Sequence, residues 1–134
     1  MLIDPSVLLQ VLFDEPGAIE ALGVVLASPE RLVTAPGLLE TEIVFGARHS
    51  FVDRAVPDLV TRLNLWVEPF TSHHVSEAKL AYERFGKGSG SVARLNFGDC
   101  TSYAAARTLG TPLALKGDDF AHTDLEPART SSRP

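Results

Sequence analysis

The chain has 134 residues, of which 45% are hydrophobic, and a formal net charge of -5 at pH 7. This length and composition predict a single domain with one hydrophobic core. The negative charge argues against a protein that grips nucleic acid by bulk electrostatics, but it is compatible with a nuclease, because carboxylates that bind a metal ion themselves add negative charge to the site.

The N-terminal residues lack the features of a targeting segment. They carry no basic start, and Asp4, Asp14 and Glu15 interrupt the apolar run, so we expect neither a secretory signal nor a membrane span. The single cysteine, Cys100, excludes an intramolecular disulfide and is typical of a reducing cytoplasm, where we expect the protein to be located.

The first half of the chain predicts short strands alternating with helices. Residues 1–4 are an apolar strand candidate, and Asp4 with Pro5 is typical of a helix start, because aspartate caps the N-terminus and proline suits the first helical position. That helix is expected to end at Glu15-Pro16-Gly17. The patterns that follow predict a helix at 18–26, a strand at 31–34, a helix from Pro36, a helix at about 56–63 and a strand at about 65–67.

The second half of the chain predicts two longer helices, a loop and a last strand. In order, these are a helix from Thr71 or Ser72 to Phe85, a flexible glycine-rich loop at 86–91, a helix at 97–109 stopped by Gly110, and a strand at 111–115. We expect the domain to span residues 1–126 and a flexible tail to cover 127–134. Strands separated by helices predict a three-layer α/β/α fold with a central, mostly parallel sheet.

Acidic residues stand beside apolar runs at four widely separated places. These are Asp4 after the first strand, Glu40 in APGLLETEIVFGAR, Asp99 in LNFGDCTSYAAA, and the pair Asp118 and Asp119 after PLALK. Sites in α/β sheets form beyond the carboxyl ends of the strands, so we expect these carboxylates to meet at one edge. Glu40 and Asp99 are each expected within the first turn or so of a helix, where the helix dipole favours negative charge.

Such a cluster of carboxylates indicates a bound cation. Burying a carboxylate is costly unless it is paired or coordinates a metal ion. Sites made only of oxygen ligands select Mg²⁺ or Mn²⁺, and no cysteine or histidine cluster competes for the role. The pattern therefore predicts metal-dependent chemistry on phosphates.

Four stretches of the sequence, taken together, resemble one protein family. They are MLIDPSVLLQVLFDEP, TAPGLLETEIVFGAR, RFGKGSG with ARLNFGDCTSYAAAR, and PLALKGDDFAHTDL. In this order and spacing the chain resembles a PIN-domain ribonuclease, and more narrowly the VapC toxin of a bacterial type II toxin–antitoxin pair. The resemblance implies a compact α/β/α nuclease whose acidic cluster binds Mg²⁺ or Mn²⁺. It also implies a homodimer that acts on RNA and is inhibited by a small VapB-like antitoxin.

The resemblance also assigns the site residues. The family's four acidic positions fall on Asp4, Glu40, Asp99 and either Asp118 or Asp119, of which we favour Asp119 because the pair Asp-Phe matches the family's ending. One departure is visible, because the family usually has Asp-Thr-Ser after the first strand and this chain has proline in place of the threonine. Ser6 keeps a hydroxyl there for the ligand shell or for phosphate.

The expected chemistry is hydrolysis of a phosphodiester bond. A metal ion held by Asp4 and Asp99 would lower the pKa of a bound water and neutralise charge on the phosphoryl oxygens. Glu40 and Asp119 would complete a second metal site or hold metal-bound waters, and one and two metals are both left open. The candidates for phosphate contacts are the side chains of Ser6, Lys87, Arg94 and Lys116.

Each assignment has a simpler alternative. Asp4 and Asp99 are also suited to helix starts, and the pair at 118–119 is also typical of a plain turn. Cys100 is expected to be a small core residue rather than a nucleophile. The neighbours His73 and His74 are expected to be exposed and not to bind metal.

Two other functions remain as alternatives to a ribonuclease. The first is a catalytically inactive PIN-like module that binds RNA or protein, which predicts the loss of one or more acids, whereas none is lost. The second, less favoured, is a Mg²⁺-dependent phosphoryl-transfer domain. Phosphatases of that kind need a second aspartate two residues after the first, where this chain has Ser6.

Overall fold

The computed structural model describes residues 1–117, 120–125 and 128. Within these residues the chain forms four strands and six helices. In chain order they are β1 (Leu2–Ile3), α1 (Pro5–Leu12), α2 (Ala18–Ala27), β2 (Leu32–Thr34), α3 (Ala35–Arg48), α4 (Ala55–Arg62), β3 (Trp66–Glu68), α5 (Ser72–Phe85), α6 (Phe97–Leu109) and β4 (Leu113–Ala114). The predicted order of elements is confirmed, and the first and last strands are shorter than predicted.

The four strands form one parallel sheet in the order β3-β2-β1-β4. The chain builds the sheet outwards from β1 to β2 and β3, then crosses back to add β4 on the other side of β1. The strand order therefore reverses between β1 and β4, and ligands of open α/β sheets bind at such a point, beyond the carboxyl ends of the strands. Asp4 directly follows β1 at this position.

Helices cover both faces of the sheet, which confirms the predicted α/β/α layers. Neighbouring residues of a strand point to opposite faces, and Leu2 and Ile3 lie in two separate core clusters. Leu2 packs with residues of α5 and α6, whereas Ile3 packs with residues of α1, α2 and the end of α4. Cys100 belongs to the first cluster, as predicted, and burial raises the pKa of its thiol to about 11.

The chain after β4 is fixed to α6 through one carboxylate. The Tyr103 hydroxyl and the Arg107 guanidinium both donate to Asp124, the latter at 2.5 Å. Burial, followed by the bond to Asp124, raises the pKa of Tyr103 to about 12. Further on, the Ala128 N–H donates to the Leu113 carbonyl at 2.9 Å. The rest of the predicted tail at 127–134 lies outside the described residues.

Two details of the sequence prediction are wrong. His74 is buried, not exposed, because its Nδ1 accepts the Thr71 N–H at 2.9 Å and its ring stacks on Phe70. Glu40 is the sixth residue of α3 and lies in its second turn, because the helix starts at Ala35.

Across residues 1–117, 120–125 and 128, every helix is too short or too polar to cross a membrane.

Candidate active site

Asp4 is held by three hydrogen bonds at the carboxyl edge of the sheet. Its backbone N–H donates to the Ala114 carbonyl at 2.9 Å, which joins the end of β1 to the end of β4. Its carboxylate accepts the Ser6 N–H on Oδ2 at 2.9 Å and the Ser102 hydroxyl on Oδ1 at 2.6 Å. The residue is only 7% exposed. Asp4 therefore caps α1, as the simpler reading of the sequence predicted, while its carboxylate faces α6.

Ser102 is a second residue of α6 at this edge, and its contact with Asp4 was not predicted from the sequence. It lies three residues after Asp99, and residues at this spacing share one face of a helix. That spacing was the only available signal, because a serine inside an alanine-rich helix is usually a packing residue. The structure thus brings two side chains of α6 to the acidic edge rather than one.

Asp99 lies in the first turn of α6 and takes part in its cap. Its N–H donates to Oδ1 of Asn96 at 2.9 Å, and its own Oδ2 accepts the Asn96 N–H at 3.0 Å. This reciprocal pair satisfies two backbone donors that have no partner within the helix. The predicted place at a helix start is confirmed, and the cap fixes where the Asp99 carboxylate sits.

Glu40 approaches these two acids from α3. Although the residue as a whole is exposed, its carboxyl end turns towards Gly98, where a Cβ would lie 2.9 Å from Oε1. Loss of water there raises the pKa of Glu40, and the negative charges of Asp4 and Asp99 raise it further. Acids from the end of β1, from α3 and from α6 therefore act on one another, as expected for convergence at one edge.

Both candidates for the fourth acid, Asp118 and Asp119, lie outside the described residues. The chain just before them is fixed, because the Lys116 N–H donates to the Ser6 hydroxyl at 3.0 Å. Ser6 stands in the first turn of α1, two residues after Asp4. The segment that leads to the acidic pair thus leaves β4 beside Asp4.

The predicted phosphate-contacting cations differ in their surroundings. The Lys116 ammonium forms an ion pair with Glu15. Lys87 on the glycine-rich loop and Arg94, three residues after that loop, are exposed. The Lys87 N–H donates to the Leu95 carbonyl at 2.9 Å, which holds the chain before and after the loop together. Lys87 also lines an open, mostly apolar cavity of about 740 Å³ that reaches the start of α6 at Phe97. The loop therefore carries positive charge next to the helix that holds Asp99.

The donor chemistry fits a hard divalent cation. Asp4, Glu40 and Asp99 offer only carboxylate oxygens, which Mg²⁺ and Mn²⁺ prefer. Within the described part of the chain, however, no group of three or more acidic, histidine or cysteine side chains is arranged to hold a metal ion. A complete set of ligands therefore requires side-chain movement or a contribution from the acidic pair at 118–119.

Comparison with known proteins gives a consistent result over nearly the whole chain. The family described as PIN domain matches residues 1–126. Ribonuclease VapC28 of Mycobacterium tuberculosis is 38% identical over 129 residues, which cover 96% of this chain and 97% of that protein. Ribonuclease VapC of Mycolicibacterium smegmatis is 39% identical over 126 residues, which cover 93% of this chain and 97% of that protein.

Two solved structures share the fold. The crystal structure of VapC20 from Mycobacterium tuberculosis, described as a Sarcin-Ricin loop cleaving toxin, aligns with a TM-score of 0.71 at 20% identity, over 93% of this chain and 95% of that one. A toxin–antitoxin complex from Klebsiella pneumoniae contains a chain that aligns with a TM-score of 0.68 at 15% identity, over 92% of each chain. At these identities the likeness concerns the fold alone.

We predict that Glu40→Gln does not destabilise the metal-free protein at pH 7. The raised pKa means that the folded state binds this proton more readily than the unfolded state, so the ionised carboxylate costs stability at neutral pH. This cost fades as the pH falls through the raised pKa towards the ordinary value of 4.5, and it is absent below that value. The variant should match the parent or exceed it by up to about 0.5 kcal/mol, because water screens a partly exposed charge.

Urea unfolding in EDTA, at pH 7 and at about pH 4, where an ordinary glutamate is largely protonated, measures this difference. Glu42→Gln is the matched control, because it removes the same charge from the same helix on a different face. Any gain from Glu40→Gln should shrink at the lower pH. A variant clearly less stable than both the parent and the control at pH 7 would contradict the convergence of the three acids.

Proposed function

The chain belongs to the VapC ribonucleases of the PIN-domain family, and from this we propose that it is the toxin of a toxin–antitoxin pair, a ribonuclease that hydrolyses RNA phosphodiester bonds with a divalent cation. The observation that carries the proposal is that three acids meet at one edge of the sheet: Asp4 is bonded to α6 through Ser102, Asp99 lies in the first turn of α6, and the carboxyl end of Glu40 lies against Gly98. Burial raises the pKa of Glu40, and the charges of Asp4 and Asp99 raise it further. Three acids from distant parts of the chain therefore share one electrostatic environment. Like charges are gathered in this way where a protein handles a cation or a reacting group.

Asp4 and Asp99 are the proposed direct ligands of the cation. Asp4 presents a carboxylate whose two oxygens each accept one hydrogen bond from the protein, so each oxygen keeps capacity for a ligand bond. Glu40 and one of Asp118 and Asp119 complete the set or hold water molecules around it. The chemistry that Mg²⁺ or Mn²⁺ supplies when bound is acidification of water and neutralisation of phosphate charge.

The other residues of the edge orient the reactants. Helices α1 and α6 begin at this edge, and the positive ends of their dipoles favour a phosphate there. Lys87 on the glycine-rich loop and Arg94 just after it are proposed to contact phosphates along the RNA backbone, which positions the strand without reading its sequence. The Ser6 hydroxyl accepts the Lys116 N–H and so fixes the turn after β4. We therefore assign Ser6 a structural role at this edge.

The proposed partners are an antitoxin and a second copy of the chain. A VapB-like antitoxin would silence the enzyme by covering the acidic edge and inserting a basic side chain in place of substrate or cation. Large apolar side chains are exposed on several helices, among them Phe97 (81% exposed), Ile19 (82%) and Leu39 (60%). Exposed apolar groups on this scale are typical of surfaces that contact other proteins, which supports both associations.

We predict RNA cleavage that requires Mg²⁺ or Mn²⁺ and stops in EDTA. Asp99→Asn should reduce the rate by about 100-fold or more, because it removes a charged ligand while the amide oxygen still accepts the Asn96 N–H. Asp58→Asn is the matched control, since Asp58 is an exposed acid in the first turn of α4. Mapping of new 5′ ends in cellular RNA after induction identifies the substrate. Cleavage that persists in EDTA and in Asp99→Asn would remove the metal mechanism.

We further predict that two copies of the chain form a dimer and that this dimer binds the antitoxin. Light scattering at micromolar concentration should give a mass of about twice 14.4 kDa. We expect a small antitoxin to be encoded beside this chain, to co-purify with it and to suppress the cleavage. A monomer at all concentrations, together with no inhibitory neighbour, would count against the toxin assignment.

A further inference from the structure

We propose that Ser102 is a positioning residue, which fixes the orientation of the Asp4 carboxylate towards the cation that Asp4 shares with Asp99. The inference rests on the proposed function and extends it to a residue outside the predicted site. Ser102 itself touches neither substrate nor cation in this proposal. It acts through the hydrogen bond of 2.6 Å from its hydroxyl to Oδ1 of Asp4.

The bond is buried at both ends. Ser102 is 1% exposed and Asp4 is 7% exposed, so bulk water has little access to replace either partner. Hydrogen bonds from a hydroxyl to an ionised carboxylate are short and about twice as strong as those between neutral groups. The length of 2.6 Å fits this class.

The Ser102 hydroxyl donates to Asp4 although a backbone carbonyl of its own helix is within reach. Serine and threonine within a helix commonly donate to a backbone carbonyl one turn earlier. Thr101 does so, donating to the Gly98 carbonyl at 2.8 Å, whereas Ser102 donates across to the end of β1, 98 residues away in sequence. A serine has one hydroxyl proton, so this bond excludes the local alternative.

Two donors on different elements define the plane of the Asp4 carboxylate. The Ser6 N–H fixes Oδ2 from α1, and Ser102 fixes Oδ1 from α6. The terminal torsion of aspartate is otherwise broad, so a single donor would leave the carboxylate free to rotate. Because Ser102 lies on the same face of α6 as Asp99, its bond also sets Asp4 against the helix that carries the second proposed ligand.

The test is Mn²⁺ binding by the full-length protein, with free Mn²⁺ counted by its electron paramagnetic resonance signal. Ser102→Ala should weaken Mn²⁺ binding by about tenfold or more, the usual effect of removing a partner that orients a metal ligand. Thr101→Val is the matched control, because it removes the neighbouring buried hydroxyl from the same helix and spares Asp4. It should leave the Mn²⁺ dissociation constant within about twofold of the parent value.

A second variant keeps the test decisive if Ser102→Ala does not fold. Ser102→Cys keeps a side chain of similar shape but donates weakly, so its Mn²⁺ affinity should fall between those of the parent and Ser102→Ala. Circular dichroism in EDTA checks the fold of each variant. A purely structural role for Ser102 predicts similar losses of thermal stability in Ser102→Ala and Thr101→Val and no change in Mn²⁺ affinity, and this result would overturn the proposal.

Failure of the inference is distinguishable from failure of the proposed function. A parent protein that neither binds Mn²⁺ nor cleaves RNA contradicts the function, and the inference falls with it. A parent that does both, beside a Ser102→Ala variant with unchanged Mn²⁺ affinity, contradicts the inference alone. If the proposal holds, raising the Mn²⁺ concentration should restore part of the RNA cleavage lost in Ser102→Ala, because the loss is one of affinity.

Discussion

The convergence of three carboxylates at one edge of the sheet is the constraint on which the site depends. Asp4, Glu40 and Asp99 come from three elements. Burial raises the pKa of Glu40, and repulsion by the charges of Asp4 and Asp99 raises it further. Each acid is held against this repulsion by different means. Asp4 is fixed by two hydrogen bonds, Asp99 by the cap of α6, and Glu40 by its approach to the space left at Gly98. Like charges that a fold holds this close together lower its stability. Such an arrangement is typical of a functional site.

The topology of the sheet explains why the acids meet where they do. The strands are short, but β1 lies centrally and the order reverses between β1 and β4, so the crevice opens directly beyond Asp4. Two hydrogen bonds close this end of the sheet, one from the Asp4 N–H to the Ala114 carbonyl and one from the Lys116 N–H to the Ser6 hydroxyl. Helices α3 and α6 then bring the other acids from outside the sheet.

Most helices and strands were predictable from the sequence, because caps, stops and periodicity are each set by a few neighbouring residues. The bounds of α6 at 97–109 follow from its periodicity and from the stop at Gly110, and the start of α1 follows from Asp4 and Pro5. The contact of Ser102 with Asp4 was not predictable, because periodicity shows that a serine faces inwards but not what it meets 98 residues away. His74 was mispredicted because its ring nitrogen caps its own helix, a role usually filled by carboxylate or amide side chains.

We propose that these acids form one cation site at the carboxyl edge of the sheet. Anomalous diffraction from crystals grown with Mn²⁺ tests it directly. We expect a Mn²⁺ peak within bonding distance of carboxylate oxygens of both Asp4 and Asp99. Absence of a peak at this edge from crystals that bind Mn²⁺ elsewhere would contradict it.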